Sequence, residues 1–253
     1  MTIRAVVFDL GHTIWDILPH DGAGLQRAYE DMRAALVERL GPDGVPPAGA
    51  IRQAVSLALH EASETYFMDA ARLDQPPSQT WVDRGCRSLG LELDDNLLRQ
   101  LTPPLFATEI DHLSVAEGTL EAVQALADAG YLLGCVTNTL ADTTAIRAML
   151  RRHAIEDLMR CVVVSADIGW RKPHPSLFQK ALHAIDVAPH EAVFVGDSPA
   201  HDVAGAKAVG MWAVLTRQYV ARPVGDLHPP ADAVISHMRE LGEVVRQLDA
   251  SRV

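Results

Sequence analysis

From about residue 112 onward, short apolar runs alternate with longer segments whose apolar residues recur at helical spacing. The runs cover 132–137, 161–165, 192–196, 212–216 and 233–235, and continuous apolar strands of this kind fit a sheet covered on both faces. Between them, 119–129, 141–152, 176–185 and 200–209 read as helices. In the third of these, Leu177, Phe178, Ala181, Leu182 and Ile185 fall on one face. The alternation predicts a parallel α/β sheet flanked by helices. One more run, 6–9, has the same character, although a long stretch separates it from the rest.

That separating stretch, 17–111, lacks a comparable strand and carries helical periodicity instead. Leu25, Tyr29, Met32, Leu36 and Leu40 recur about every turn, as do Ile51, Val55 and Leu59, and further segments begin near Thr80 and Asp94. Proline pairs at Pro46-Pro47, Pro76-Pro77 and Pro103-Pro104 mark breaks. The pattern predicts an α/β core made of 1–16 and 112–253, with an all-helical insertion over 17–111 forming a second, smaller domain. A chain of 253 residues is long enough for both. No internal repeat stands out.

Composition narrows the class. An apolar fraction of 48% with 22% charged residues describes a soluble globular chain, and a net charge of −11 argues against an extended nucleic-acid surface. No apolar run approaches the ~18 to 20 residues of a membrane helix. Met1-Thr2-Ile3-Arg4 leads directly into the first apolar run without a secretory type of leader, so a cytoplasmic protein is expected, with neither membrane nor nucleic acid as partner. Cys86, Cys135 and Cys161 show no metal-ligand spacing and read as reduced core thiols.

Candidate chemistry collects where the apolar runs stop. Asp9, Thr137, Lys172 and Asp197 each lie at the end of such a run or in the loop after it, the edge at which open α/β sheets bind ligands. Asp202 follows closely. Only three lysines occur, and Lys180 and Lys207 fall in helical runs, whereas Lys172 sits in the loop Trp170-Arg171-Lys172-Pro173-His174-Pro175, restricted by its prolines. A carboxylate attacking phosphorus must approach a dianion, so cations are needed to neutralise the phosphoryl oxygens. Mg²⁺ suits such a site because it prefers hard oxygen ligands.

Four motifs occur in order: Asp9-Leu10-Gly11-His12-Thr13, Thr137-Asn138, Lys172-Pro173, and Gly196-Asp197-Ser198 with Asp202, followed by Gly205-Ala206-Lys207-Ala208. Together they resemble the haloacid dehalogenase-like hydrolase superfamily, in the branch whose helical cap is inserted after the first strand. The resemblance implies a Rossmann-like core with a cap domain and a small phosphorylated substrate. It implies Asp9 as nucleophile, and a Mg²⁺ ion held by Asp9, Asp197, Asp202 and the backbone carbonyl of Gly11. Lys172, Thr137 and Asn138 would bind phosphate, and the helical cap offers a surface for a homodimer.

Position 11 departs from that pattern. Family members that hydrolyse phosphate esters usually carry an aspartate there to protonate the leaving group, and Gly11 transfers no proton. Positioned acid-base catalysis contributes roughly 10² to 10⁴ in rate. His12 is the nearest replacement, with His20, Glu61 and Glu64 as alternatives. Phosphonate-cleaving relatives use a cap lysine, which 17–111 does not contain. Dehalogenases need no metal and carry a different fourth motif, so retention of Asp197 and Asp202 favours a Mg²⁺-dependent phosphatase over a dehalogenase or a non-catalytic binding protein. Trp15, His20, Tyr66, Phe67 and Trp81 are read as packing residues, with pocket lining as the alternative.

Overall fold

The computed structural model describes residues 2–18, 22–66, 72–108, 110–220 and 229–251. In chain order the strands are β1 (Ala5–Phe8), β2 (Asp16–Ile17), β3 (Leu113–Ser114), β4 (Leu132–Thr137), β5 (Met159–Val164), β6 (Ala192–Gly196), β7 (Trp212–Thr216) and β8 (Ala233–Ile235). The helices are α1 (Ala23–Leu40), α2 (Ala48–Tyr66), α3 (Ser78–Arg87), α4 (Asp95–Ala107), α5 (Thr119–Asp128), α6 (Thr143–Arg152), α7 (Ser165–Ile168), α8 (Pro175–Ile185), α9 (Ala204–Ala208) and α10 (Leu241–Ala250). Six strands form one parallel sheet in the order β5-β4-β1-β6-β7-β8, a Rossmann-like α/β arrangement.

The continuous apolar strands are explained by burial on both faces. All four residues of β1 are buried. Val6 and Phe8 pack with Leu133, Val195 and Val214 against α5, α6 and α10, while Ala5 and Val7 pack with Val136, Phe194 and Leu215 against α8 and α9. β1 lies at the centre, with Phe8 in register with Cys135 on one side and Val195 on the other. Every strand therefore delivers its carboxyl end to the same edge.

Helices α1 to α4 build an apolar cluster of their own, in which Tyr29, Met32 and Leu36 of α1 meet Ile51 and Val55 of α2, Val82 and Cys86 of α3, and Leu97, Leu98 and Leu101 of α4. α2 and α3 approach closely because position 85 is glycine. A Cβ there would stand 2.6 Å from the Cα of Val55. The two crossings between sheet and helices pair with each other as the antiparallel ribbon β2·β3.

Two features differ from the sequence pattern. Pro103 and Pro104 lie inside α4 instead of ending it. Each removes a helical donor, from the carbonyls of Arg99 and Gln100, but burial of Leu101, Thr102 and Leu105 holds the last turns in place. The chain also closes with α10, unexpected from the sequence, which buries Leu241, Val245 and Leu248. Among the described residues, no helix is long and apolar enough to cross a membrane.

Candidate active site

The candidate residues lie at the carboxyl edge of the sheet, at strand ends or in the segments that follow them. β1 ends at Phe8, but the Asp9 amide still donates to the carbonyl of Val195 at 2.8 Å, so the Asp9 backbone is held as rigidly as a strand residue. Thr137 is the last residue of β4, and Asp197 follows the last residue of β6. The aspartates are brought together: carboxylate oxygens of Asp9, Asp197 and Asp202 lie within 4.8 Å of one another. They share a cavity of about 260 Å³ with Gly11, His12, Thr137, Asn138, Lys172, Ser198 and His201.

Lys172 is the centre of this cluster. Its Nζ stands 2.6 Å from Asp9 Oδ1 and 2.7 Å from Asp202 Oδ1, with the ring of Phe194 beneath it at 5.4 Å. Only 2% of the Lys172 residue is exposed. Burial pushes the carboxyls of Asp9 and Asp202 above the ordinary carboxylate range, against the pull of the lysine. Burial also disfavours the Lys172 charge, yet Asp202 and Asp9 outweigh it and its pKa is raised. One ammonium thus faces two buried carboxylates, with the half-buried Asp197 beside them. Hard oxygen donors of this kind fit Mg²⁺ well.

Neighbours fix each side chain. Thr13 Oγ1 donates to Asp9 Oδ2 at 3.3 Å, and the Ser198 amide donates to Asp202 Oδ2 at 2.9 Å. Residues Pro199–Val203 form a π-helical turn, a widened coil often found at functional sites, which turns Asp202 back towards the sheet. Asp202 comes so close to β6 that a Cβ at Gly196 would sit 2.3 Å from its carboxyl carbon, so only glycine fits before Asp197.

Asn138 has a part the sequence did not suggest. Its Oδ1 accepts from the Lys172 amide at 2.8 Å, and its Nδ2 donates to the Lys172 carbonyl at 3.1 Å. Both ends of the amide thus grip the lysine loop, so Asn138 acts first on the position of Lys172, whatever it gives to a ligand. Ser198, the end of the Gly196-Asp197-Ser198 motif, and His201, which was given no part from the sequence, also line the cavity. The His201 amide donates to Ser198 Oγ at 3.3 Å, and the same hydroxyl lies 3.2 Å from its Nδ1. Burial, with Arg171 and Lys172 nearby, holds the His201 imidazole below its ordinary pKa.

The replacements considered for position 11 are placed unequally. His12 lines the cavity but is more than half exposed, at 55%, and its Nδ1 stands 3.2 Å from Asp16. Glu61 is paired with Arg84 at 2.9 Å, and neither it nor Glu64 lines the cavity. His20 and Phe67 lie outside the described residues. Trp15, Tyr66 and Trp81 are buried, Trp15 stacked on His153 and Tyr66 tilted against Trp81, so these three pack. The three cysteines are free and buried. A Cβ added at Gly11 meets nothing within 4 Å, so that position is open.

A parallel sheet with these loops at its carboxyl edge is the framework of a haloacid dehalogenase-like hydrolase. Residues 87–216 match that family, and the chain belongs to it. A glyceraldehyde 3-phosphate phosphatase of Methanopyrus kandleri is 32% identical over 165 residues, covering 64% of this chain and 70% of that protein. Two further relatives of the same name are matched over 60% and 52% of their length. Among solved structures, a phosphatase of this type from Thermococcus onnurineus is 26% identical with a TM-score of 0.59, covering 96% of this chain and 97% of that one. A 2-haloacid dehalogenase from Pseudomonas syringae pv. Tomato DC3000 is 25% identical, also with a TM-score of 0.59, covering 97% of this chain and 99% of that one.

Proposed function

We propose that this hydrolase is a Mg²⁺-dependent phosphatase of a small phosphorylated metabolite, with Asp9 as nucleophile and helices α1 to α4 as its cap. The observation that carries this reading is the buried Asp9–Lys172–Asp202 cluster with Asp197 beside it. The names of the relatives, phosphatases at about a third identity, support it.

Asp9, Asp197, Asp202 and the Gly11 carbonyl would hold the metal. Bound there, Mg²⁺ would supply positive charge to the phosphoryl oxygens. An Asp9 carboxylate oxygen attacks phosphorus, the bond from phosphorus to the ester oxygen breaks, and an acyl phosphate forms on Asp9. Lys172 and the Thr137 hydroxyl bind the phosphoryl oxygens, and Asn138 keeps Lys172 in place. Water then releases phosphate and restores Asp9. Gly11 gives no proton to the departing oxygen, so the leaving group must carry its own charge or draw its proton from solvent.

A panel of phosphate esters with and without Mg²⁺ tests the reading. Turnover of an aryl phosphate that disappears on metal removal is expected, and absence of turnover across the panel would overturn it. The likeness to a dehalogenase motivates a second arm, in which metal-independent halide release from 2-haloacids would replace the phosphatase reading.

A further inference from the structure

Residues Leu73–Gln75, between α2 and α3, reach across to the loops that carry Thr137 and Lys172. Asp74 pairs with Trp170 in an antiparallel bridge, the Gln75 amide donates to the Gly169 carbonyl at 2.9 Å, and the Arg171 amide donates to the Leu73 carbonyl at 2.7 Å. The Gln75 side chain goes further. Its Nε2 donates to the Thr139 carbonyl at 2.7 Å, two residues past Thr137. Ser165 Oγ reaches the same carbonyl from the sheet side at 3.2 Å and accepts from the Thr139 amide at 2.9 Å.

Gln75 is 1% exposed, so its hydrogen bond is sheltered from competing water. Thr139 continues the chain from Asn138, whose amide grips Lys172 from both sides, and Arg171 precedes Lys172 directly. One short segment from the helical layer therefore holds both loops that place groups on the phosphoryl oxygens.

We propose that Gln75 is a positioning residue, which fixes the Thr137 and Lys172 loops relative to Asp9 from the helical side of the molecule. The inference rests on the phosphatase reading for its effect on rate, but the contacts themselves do not. Gln75→Met is the informative variant. It keeps length and volume, removes the donor to Thr139, and also removes Oε1, which is buried without a partner among the described residues. The fold should tolerate it.

In the full-length protein with Mg²⁺ and an aryl phosphate, Gln75→Met should lower kcat about tenfold or more, because small misplacements of groups near the chemistry are costly. KM should move less than about threefold. Gln75→Glu, which puts a carboxylate against the Thr139 carbonyl, should lower kcat further. Hydrogen exchange at the Arg171 and Lys172 amides should quicken in Gln75→Met while amides of α10 keep their protection. An unchanged kcat, or faster exchange spread evenly through the sheet, overturns the inference. If the wild-type protein hydrolyses no phosphate ester, the phosphatase reading alone has failed. Exchange at Arg171 and Lys172 then decides: local quickening supports the positioning role and wild-type protection rejects it.

Discussion

The sheet and the helices α1 to α4 treat charge in opposite ways. Asp9, Asp142, Arg171, Lys172 and Asp202 are the charged residues buried among those described, and every one lies outside the helical layer. Within that layer the ion pairs Arg39–Asp94 and Arg84–Glu61 stay at the surface and Arg87–Asp83 sets an exposed guanidinium on a half-buried carboxylate, around an interior of aliphatic and aromatic side chains. Buried charge is costly unless it is paired, and even paired it adds little to stability compared with apolar packing. The helical layer is thus built for cohesion. The carboxyl edge of the sheet sustains a buried charged cluster, as expected where the groups serve chemistry.

Asp9→Asn gives the largest effect on this contrast. Turnover of an aryl phosphate should fall by more than about 10³-fold, because an amide is no nucleophile towards phosphorus. Stability should hold or rise. Burial raises the Asp9 and Asp202 pKa values, so the stability these carboxyls contribute is present when they are protonated and is lost as pH rises through their folded values. The variant removes one charge and leaves Asp202 paired with Lys172. Residual wild-type turnover would remove Asp9 from its assigned part, and a clear loss of melting temperature would mean the cluster needs the Asp9 charge. Gly11→Asp comes next. The position is open, so a carboxyl fits there, and hydrolysis of alkyl phosphates, whose leaving groups need a proton, should rise by about 10² to 10⁴ relative to wild type. Aryl phosphates should gain much less. Equal gains for both, or none, would mean that another group already delivers the proton.

The two regions also differed in how much of them could be read from the chain. The strands were legible because residues such as Val6, Val7 and Phe8 are apolar at every position, which burial on both faces requires. Asp9, Thr137 and Asp197 were legible because each ends such a run, and Lys172 because it is one of three lysines and sits in a proline-restricted loop. What the sequence hid are partnerships across long separations. The pairing of Lys172 with Asp9, 163 positions apart, was expected from their motifs, but Asn138 also grips Lys172 over 34 and Gln75 reaches Thr139 over 64. No local pattern encodes these, since each depends on strand order and on where the helices dock. His201 was hidden for another reason: it lies in a π-helical turn, whose register places side chains where α-helical spacing would not. Pro103 and Pro104 misled because tertiary burial outweighed a strong local signal. α10 was legible in principle, from Leu241, Val245 and Leu248 at helical spacing.

Lys172→Met probes the stability side of the contrast. It leaves Asp9 and Asp202 buried with no ammonium between them, and removing one partner of a buried ion pair costs about 3 to 5 kcal/mol. Urea midpoints should drop accordingly, and Mg²⁺ should recover part of the loss by binding the folded state alone. A midpoint equal to wild type would mean that water or protonation already relieves the cluster. In the helical layer the comparable weak point is steric. Gly85→Ala would place a methyl 2.6 Å from the Val55 Cα, so α2 and α3 must separate, at a cost of about 1 to 3 kcal/mol. That loss should be independent of Mg²⁺, which distinguishes it from the loss in Lys172→Met.

Glu61→Gln should have the smallest effect, and it tests both halves of the comparison at once. Glu61 pairs with Arg84 at 2.9 Å, with side chains 43% and 59% exposed, so water and salt screen the pair and its removal should cost less than about 1 kcal/mol. The same residue is a sequence-level candidate for the proton donor that Gly11 lacks. Its pairing with Arg84 and its absence from the cavity argue against that part, so activity on alkyl and aryl phosphates should stay within about twofold of wild type. A selective loss on alkyl phosphates would break the comparison. The helical layer would then carry a charge that acts in the chemistry, which requires Glu61 to leave Arg84 and enter the cavity during turnover.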